Sequence, residues 1–204
     1  MTSLFKKLFR RTPSVESDLQ KKIRLSDPLK IIIGAGGLAA NSDWVTTEVK
    51  TLDVTNESNW FAVLQGKQVD NVFSEHVWEH LSLEQTEKAN KNIFKFLKSG
   101  GRFRVAVPDG FKPDEDYINY VKPGGNGAGA DDHKILYNYQ IMKAALEKVG
   151  FKVELLEFWD EEGKFHYTEW NPEYGKVLRS RRFDPRNISG ELKYTSLIID
   201  AIKS

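Results

Sequence analysis

Three histidines, two carboxylates and a run of glycines hold most of the chemistry this chain can offer. His76-Val77-Trp78-Glu79-His80 sets two imidazoles four residues apart with a carboxylate beside the second. Imidazole suits proton transfer near neutrality because its ordinary pKa is about 6.5. The same His-x-x-Glu-His spacing serves zinc when both histidines ligate from one helix face and the Glu acts as base. That use needs a well-formed helix and a remote third ligand. Here the segment directly follows a strand pattern and stops at Ser82, the cap of the next helix, so no metal is expected. Capping and buttressing of a turn is the plainer role for Glu79 and His80. Asp109 emerges after Pro108, where it either faces a ligand or caps a loop. His133 follows Asp131-Asp132 at the edge of a glycine-rich loop. It either reaches a substrate as that loop closes or simply opens the next helix.

The glycines are Gly34-Ala35-Gly36-Gly37, directly after the β-branched run Lys30-Ile31-Ile32-Ile33. A bare turn there lets a ligand approach the backbone, and main-chain N–H groups can hold an anionic end. By itself such a turn is equally at home as plain punctuation.

The elements that must position these groups follow from periodicity. Strand patterns occupy 30–33, Trp44–Glu48, Thr51–Val54, Val69–Ser74, Arg102–Val107, Phe151–Phe158 and Tyr194–Ile202. Helix patterns occupy Ser58–Leu64, Ser82–Leu97 and Asn138–Val149. The middle one starts with Ser82 and Gln85, a capping box. A long polar loop spans about 109–135, and 160–191 is aromatic and basic without a clear period. Alternating strands and helices imply a parallel sheet with crossovers. The last two strands lack a convincing helix between them and are expected to pair antiparallel. Ligands in such sheets bind beyond the carboxyl ends of the strands.

Composition narrows the function. The 204 residues suit one domain, and 12 Phe with 5 Trp can fill its core. A net charge of +1 gives no field for nucleic acid, so none is expected as a partner. Cysteine is absent, which removes disulfides, thiolate metal sites and cysteine nucleophiles together. No apolar run approaches the ~18 residues of a membrane span. A cytoplasmic location and no stable membrane insertion are expected. Residues 1–27 form a basic leader, expected to be flexible, ahead of a 28–204 domain. Its first 25 residues carry seven Lys or Arg against two acids. Leu4-Phe5-Lys6-Lys7-Leu8-Phe9-Arg10-Arg11 could touch an anionic membrane surface weakly, though a solvated tail is the simpler reading.

Four stretches together resemble the class I S-adenosylmethionine (SAM)-dependent methyltransferases. They are His76-Val77-Trp78-Glu79-His80-Leu81, the run Gly100-Gly101-Arg102 through Pro108-Asp109, His133-Lys134-Ile135-Leu136-Tyr137, and Gly190 through Ala201. The likeness is greatest to a small branch that pairs HVxEHL with GGRxRxxVPD, and it covers about 29–202. It implies a Rossmann-like α/β fold, a seven-stranded mixed sheet with an antiparallel last strand and helices on both faces. It implies SAM as cofactor, with Gly34, Ala35, Gly36 and Gly37 facing its methionine moiety. Glu48 or Asp53 would supply the acid on the ribose or near the adenine. Glu48 fits the ribose better, with Asp53 and Val54 beside the ring, while Ser74 and Glu75 line the other side. His76, Asp109 and His133 are the catalytic candidates, with His76 placed to act as base toward an O–H or N–H acceptor.

The acceptor implied is a small molecule or sugar. Two positions depart from the family pattern. Ile32 stands where an acid or amide is usual, and Leu38 where a third glycine is. They motivate a second reading, a non-catalytic module on the same fold. A nicotinamide-dependent oxidoreductase is disfavoured, since the third glycine of Gly-x-Gly-x-x-Gly would fall at Ala39. Arg179, Arg181, Arg182 and Arg186 suit an acidic acceptor, a solvated face or a homo-oligomer contact, and these stay open.

Overall fold

Seven strands make one mixed sheet in the order β2-β1-β3-β4-β7-β5-β6. The computed structural model describes residues 16–36, 41–187 and 190–204. The strands are β1 Lys30–Ile33, β2 Val45–Thr47, β3 Val69–Glu75, β4 Leu97–Val107, β5 Lys152–Trp159, β6 Phe165–Tyr167 and β7 Leu197–Ile202. β1 to β4 run parallel, and β7 lies antiparallel between β4 and β5, as the missing crossover helix implied. Five α-helices accompany them: α1 Asp18–Leu25, α2 Glu57–Leu64, α3 Leu83–Phe96, α4 Glu115–Val121 and α5 Tyr139–Glu147.

The β1 run shows why isoleucine is repeated. Side chains alternate across a strand, so Ile31 and Ile33 enter the main core while Ile32 enters a second cluster on the opposite face. Both faces are covered, and a continuous apolar run is what such a strand needs. α3 begins with the expected reciprocal cap. The Ser82 N–H donates to Gln85 Oε1 at 2.9 Å and the Gln85 N–H to Ser82 Oγ at 3.3 Å. Ala89, Ile93 and Phe96 then face the core.

Four local expectations change. Thr51–Val54 is not a strand. The Thr51 and Leu52 N–H groups both donate to Glu48 O at 2.8 Å and close a turn, while Leu52 and Val54 are buried. The seventh strand is β6 instead, a three-residue hairpin partner of β5. Inside the polar loop lies α4, capped by Asp114, whose side chain accepts from the Tyr117 N–H at 2.9 Å. The leader also ends earlier than residue 27. α1 buries Ile23, and the Lys67 ammonium donates to the Ile23 carbonyl at 3.0 Å, so this helix belongs to the packed body. Residues 1–15 lie outside the described residues, and with them the Leu4–Arg11 pattern.

The helical layer needs one refinement. α1, α2, α3 and α5 all contribute to the same core, through Ile23, Trp60, Ile93 and Met142. The opposite cluster of Ile32, Phe73, Ala106 and Ile198 is closed by Trp170 and Val177 of the aperiodic segment. Gly175 permits that approach. Its φ is +115°, and a Cβ there would stand 2.7 Å from the Phe73 ring. No described helix is long and apolar enough to cross a membrane.

Candidate functional site

Two neighbouring features form at the carboxyl ends of the parallel strands. The first is the glycine turn after β1. Gly34 and Gly36 both have positive φ, +64° and +54°. A Cβ on Gly34 would stand 2.5 Å from Val77 Cγ2, so this glycine is needed for packing. Among the described residues, a Cβ on Gly36 would meet nothing within 4 Å. The exposed Glu48, just past β2, accepts the Gly36 N–H at 2.8 Å. Ala35 is buried, and its N–H continues the ladder to Thr47 O at 3.1 Å. Gly37 and Leu38 lie outside the described residues.

Beside the turn, Ser74 pairs with Ile33 across the β1–β3 ladder. Its hydroxyl is buried and has no hydrogen-bond partner among the described residues. A bare glycine, a nearby carboxylate and an orphaned hydroxyl make a fitting cradle for an adenosyl-sulfonium ligand with sugar hydroxyls and a charged amino-acid end.

Other expected cofactor residues are placed differently. Glu75 is buried, and its two oxygens accept the Leu178 and Arg179 N–H groups at 3.1 and 2.8 Å. It anchors the aperiodic segment, so its acceptor sites are taken. Val54 is part of the core, and its carbonyl accepts from Trp60 Nε1 and Asn92 Nδ2. Asp53 Oδ1 accepts from the Thr55 N–H and hydroxyl at 2.9 and 2.7 Å, closing the turn before α2.

The second feature is a cavity of about 290 Å³ lined by His76, Glu79, His80, His133, Arg179, Arg186 and Tyr194, among others. His76 directly follows β3 with a φ of +57°, an uncommon backbone state for a side chain other than glycine. Such outliers concentrate where geometry is held for function. Its Nε2 lies 3.0 Å from Ser196 Oγ. Its Nδ1 lies 3.1 Å from Glu79 Oε1, off the line a hydrogen bond requires, so both buried Glu79 oxygens lack a hydrogen-bond partner among the described residues. Burial pushes the Tyr194 hydroxyl up to about 12, which keeps it protonated.

Of the three catalytic candidates, the structure brings His76 and His133 to this cavity. Asp109 stays apart. Its side chain is fully buried, and it accepts the Phe111 N–H at 3.0 Å and the Trp159 N–H at 2.8 Å. Desolvation outweighs those bonds and pushes its pKa up to about 6. A carboxylate clamped this way ties the loop after β4 to the end of β5 and does not line the cavity. The arginines divide as well. Arg179 and Arg186 line the cavity. Arg181 stacks over Tyr167 and pairs with Glu169, and Arg182 lies over Phe183. Tyr194 and Ser196 escaped the sequence reading, although both sit in the C-terminal motif. Both precede β7, and only the tertiary fold brings them to the cavity and to His76.

No protein-family model matches the sequence, and no curated protein does. Solved structures do share the architecture. One chain of the complex between the Haloferax volcanii Trm112 methyltransferase activator and a methyltransferase superposes with a TM-score of 0.51 at 12% identity, covering 90% of this chain and 88% of that one. A SAM-dependent methyltransferase from Thermotoga maritima gives 0.50 at 11% identity, covering 91% and 87%. One from Archaeoglobus fulgidus gives 0.47 at 18% identity, covering 90% and 91%. The fold is that of SAM-dependent methyltransferases. Its sheet differs in one respect from the strand patterns read along the sequence, since β6 takes the place of a strand at Thr51–Val54.

Proposed function

We propose that this chain binds SAM at the glycine turn and transfers its methyl group to an oxygen or nitrogen of a small molecule or sugar held in the His76 cavity. The observation that carries the reading is the Gly36 backbone, clear of the described residues, with the Glu48 carboxylate 2.8 Å from its N–H. Turn and cavity form one packing unit, because Val77 touches Gly34 and directly follows His76.

SAM, when bound, supplies an electrophilic methyl carbon on a sulfonium. The remaining work is orientation and proton removal. Glu48 accepts hydrogen bonds from the ribose hydroxyls, exchanging its contact with Gly36 for them. The Ser74 hydroxyl gains a partner at the same time. His76 holds the base position. Its Nδ1 faces the Glu79 carboxylate, which favours a proton on that nitrogen, and Nε2 would exchange its contact with Ser196 Oγ for the acceptor's proton. Arg179 and Arg186 favour an acceptor with anionic or oxygen-rich groups.

One observation favours the second reading, a SAM-fold module without catalysis. Ile32 is buried at the strand position where an acid or amide would meet the SAM amino group. Calorimetric titration with SAM tests the proposal. Wild type is expected to bind, while Gly36→Val and Glu48→Gln each weaken binding at least ~10-fold, about 1.4 kcal/mol. The valine both fills the approach and strains a backbone at φ +54°. No heat with wild type at millimolar SAM would refute methyl transfer.

A further inference from the structure

Glu79, His80 and His133 each offer a ligand atom, and those atoms lie within 4.8 Å of one another. We propose that these three side chains form a binding site for a divalent transition-metal ion of the zinc type at the wall of the His76 cavity.

The ligand set differs from the one the His-x-x-Glu-His spacing suggests. Residues 76–80 are not an α-helix. His76 directly follows β3, and a 3-10 turn covers Trp78–His80, so His76 and His80 do not share a helix face. Glu79 and His80 are instead joined by His133 from the far end of the polar loop. The Lys134 N–H donates to the Glu79 carbonyl at 2.6 Å and holds the two segments together.

Each ring is already oriented for ligation. His133 Nδ1 lies 2.7 Å from the Val121 carbonyl, which requires the proton on Nδ1 and leaves Nε2 with its lone pair. His80 Nδ1 lies 3.3 Å from Asp132 Oδ2, a carboxylate contact that favours the proton on that nitrogen without a closed hydrogen bond. Backbone-carbonyl and carboxylate partners of this kind fix tautomer and ring orientation in imidazole metal ligands. The two rings stand edge to face with centroids 4.7 Å apart.

The third observation is Glu79 itself. It is 1% exposed, and among the described residues neither carboxylate oxygen has a hydrogen-bond partner, with His76 Nδ1 at 3.1 Å from Oε1 off the bonding line. A buried carboxylate left this way is costly, and a bound cation removes the cost. Two imidazoles with one carboxylate favour zinc, cobalt, nickel or iron(II) over magnesium or calcium, which prefer all-oxygen shells. Ligand bonds of roughly 2.0–2.2 Å require the three groups to draw inward slightly. Three protein ligands leave a coordination position open toward the cavity, beside Arg179 and Arg186.

The test uses the full-length chain, stripped with chelator and without SAM, so it stands or falls separately from methyl transfer. Zinc chloride is titrated calorimetrically, and cobalt chloride is followed by visible absorption. One equivalent is expected to bind in the micromolar range or tighter, with intense cobalt bands of four- or five-coordinate geometry. His133→Ala and Glu79→Gln are each expected to weaken binding by more than ~100-fold. Asp132→Ala, which removes the carboxylate beside His80 and also the partner of the Lys134 ammonium, is expected to weaken it about 10-fold. His166→Ala serves as control, because that ring pairs with Asp160 through β6 and should leave binding unchanged. Circular dichroism checks each fold, and exposed Asp132 keeps the test alive if Glu79→Gln does not fold. Absent zinc binding, binding only at millimolar zinc, or unchanged affinity in a His80→Ala/His133→Ala protein would each overturn the site. So would a preference for magnesium chloride.

Discussion

Arg104 on β4 and Asp200 on β7 face each other across the antiparallel ladder and close a bidentate ion pair. The Nε–Oδ1 and Nη2–Oδ2 distances are 2.7 and 2.8 Å, and both side chains are buried. Arg104 Nη1 also donates to the Asn171 and Gly175 carbonyls, so the pair anchors the aperiodic segment to the sheet. Asp200→Ala leaves the guanidinium buried and unpaired, and a loss of about 3–5 kcal/mol in urea unfolding is expected. Arg104→Met with Asp200→Leu should recover part of it. Full recovery is not expected, since two carbonyls lose their donor. A loss under about 1 kcal/mol for Asp200→Ala would show that the pair is not stabilising.

Glu75 holds the same segment nearer the cavity, through the Leu178 and Arg179 N–H groups. Glu75→Gln sets an amide NH₂ against one of these donors. The expected cost is about 1–3 kcal/mol. Because the lost bond releases the backbone at Arg179, trypsin should cut the variant there faster than wild type. Equal cleavage rates at equal temperature would mean that other contacts hold the segment.

Gly34 and Val77 are coupled by a contact that any side chain on Gly34 would destroy. Gly34→Ala adds a clash at 2.5 Å and a left-handed backbone cost of roughly 1–2 kcal/mol. Adding Val77→Ala removes the clash and leaves the backbone cost. A double-mutant cycle by thermal unfolding should therefore show a favourable coupling of at least ~0.5 kcal/mol. Additive effects would deny the packing unit that joins turn and cavity.

What the sequence showed and what it hid divide by range of interaction. β1, α3 with its capping box and the antiparallel β7 were legible because alternation, cap chemistry and a missing crossover are local signals. α4 was missed at seven residues, although Asp114 before Glu115-Asp116 is an N-terminal signature inside a glycine-rich stretch. Thr51–Val54 alternates like a strand, yet two bonds to Glu48 O fold it into a turn. His76 and His133, singled out by type and spacing, both line the cavity. Asp109 and Glu75 were equally plausible by type, and only tertiary bonds to Trp159, Leu178 and Arg179 show that their oxygens are occupied. Arg104 stood in a quoted motif without a role, because its partner Asp200 is fixed by strand register alone.

Asp109 gives stability a pH dependence opposite to that of most carboxylates. Burial raises its pKa to about 6 in the folded protein, against 3.8 ordinarily. Between those values the folded chain keeps a proton that the unfolded chain has released. Its contribution to stability therefore falls as pH rises from about 4 to about 6, and is level above that. A shift of this size is worth about 3 kcal/mol. Asp109→Asn cannot titrate and lacks this slope. It also loses an acceptor for Phe111 or Trp159, but that cost is independent of pH. Carboxylates lowered by ion pairs, such as Asp184 with Arg186, lose their contribution only at lower pH and cancel in the comparison. The unfolding free energy of Asp109→Asn minus that of wild type should thus rise by about 2–3 kcal/mol from pH 4 to pH 7. A difference that stays flat across that range in denaturant titrations would show that the carboxyl is ionised in the fold at all these pH values.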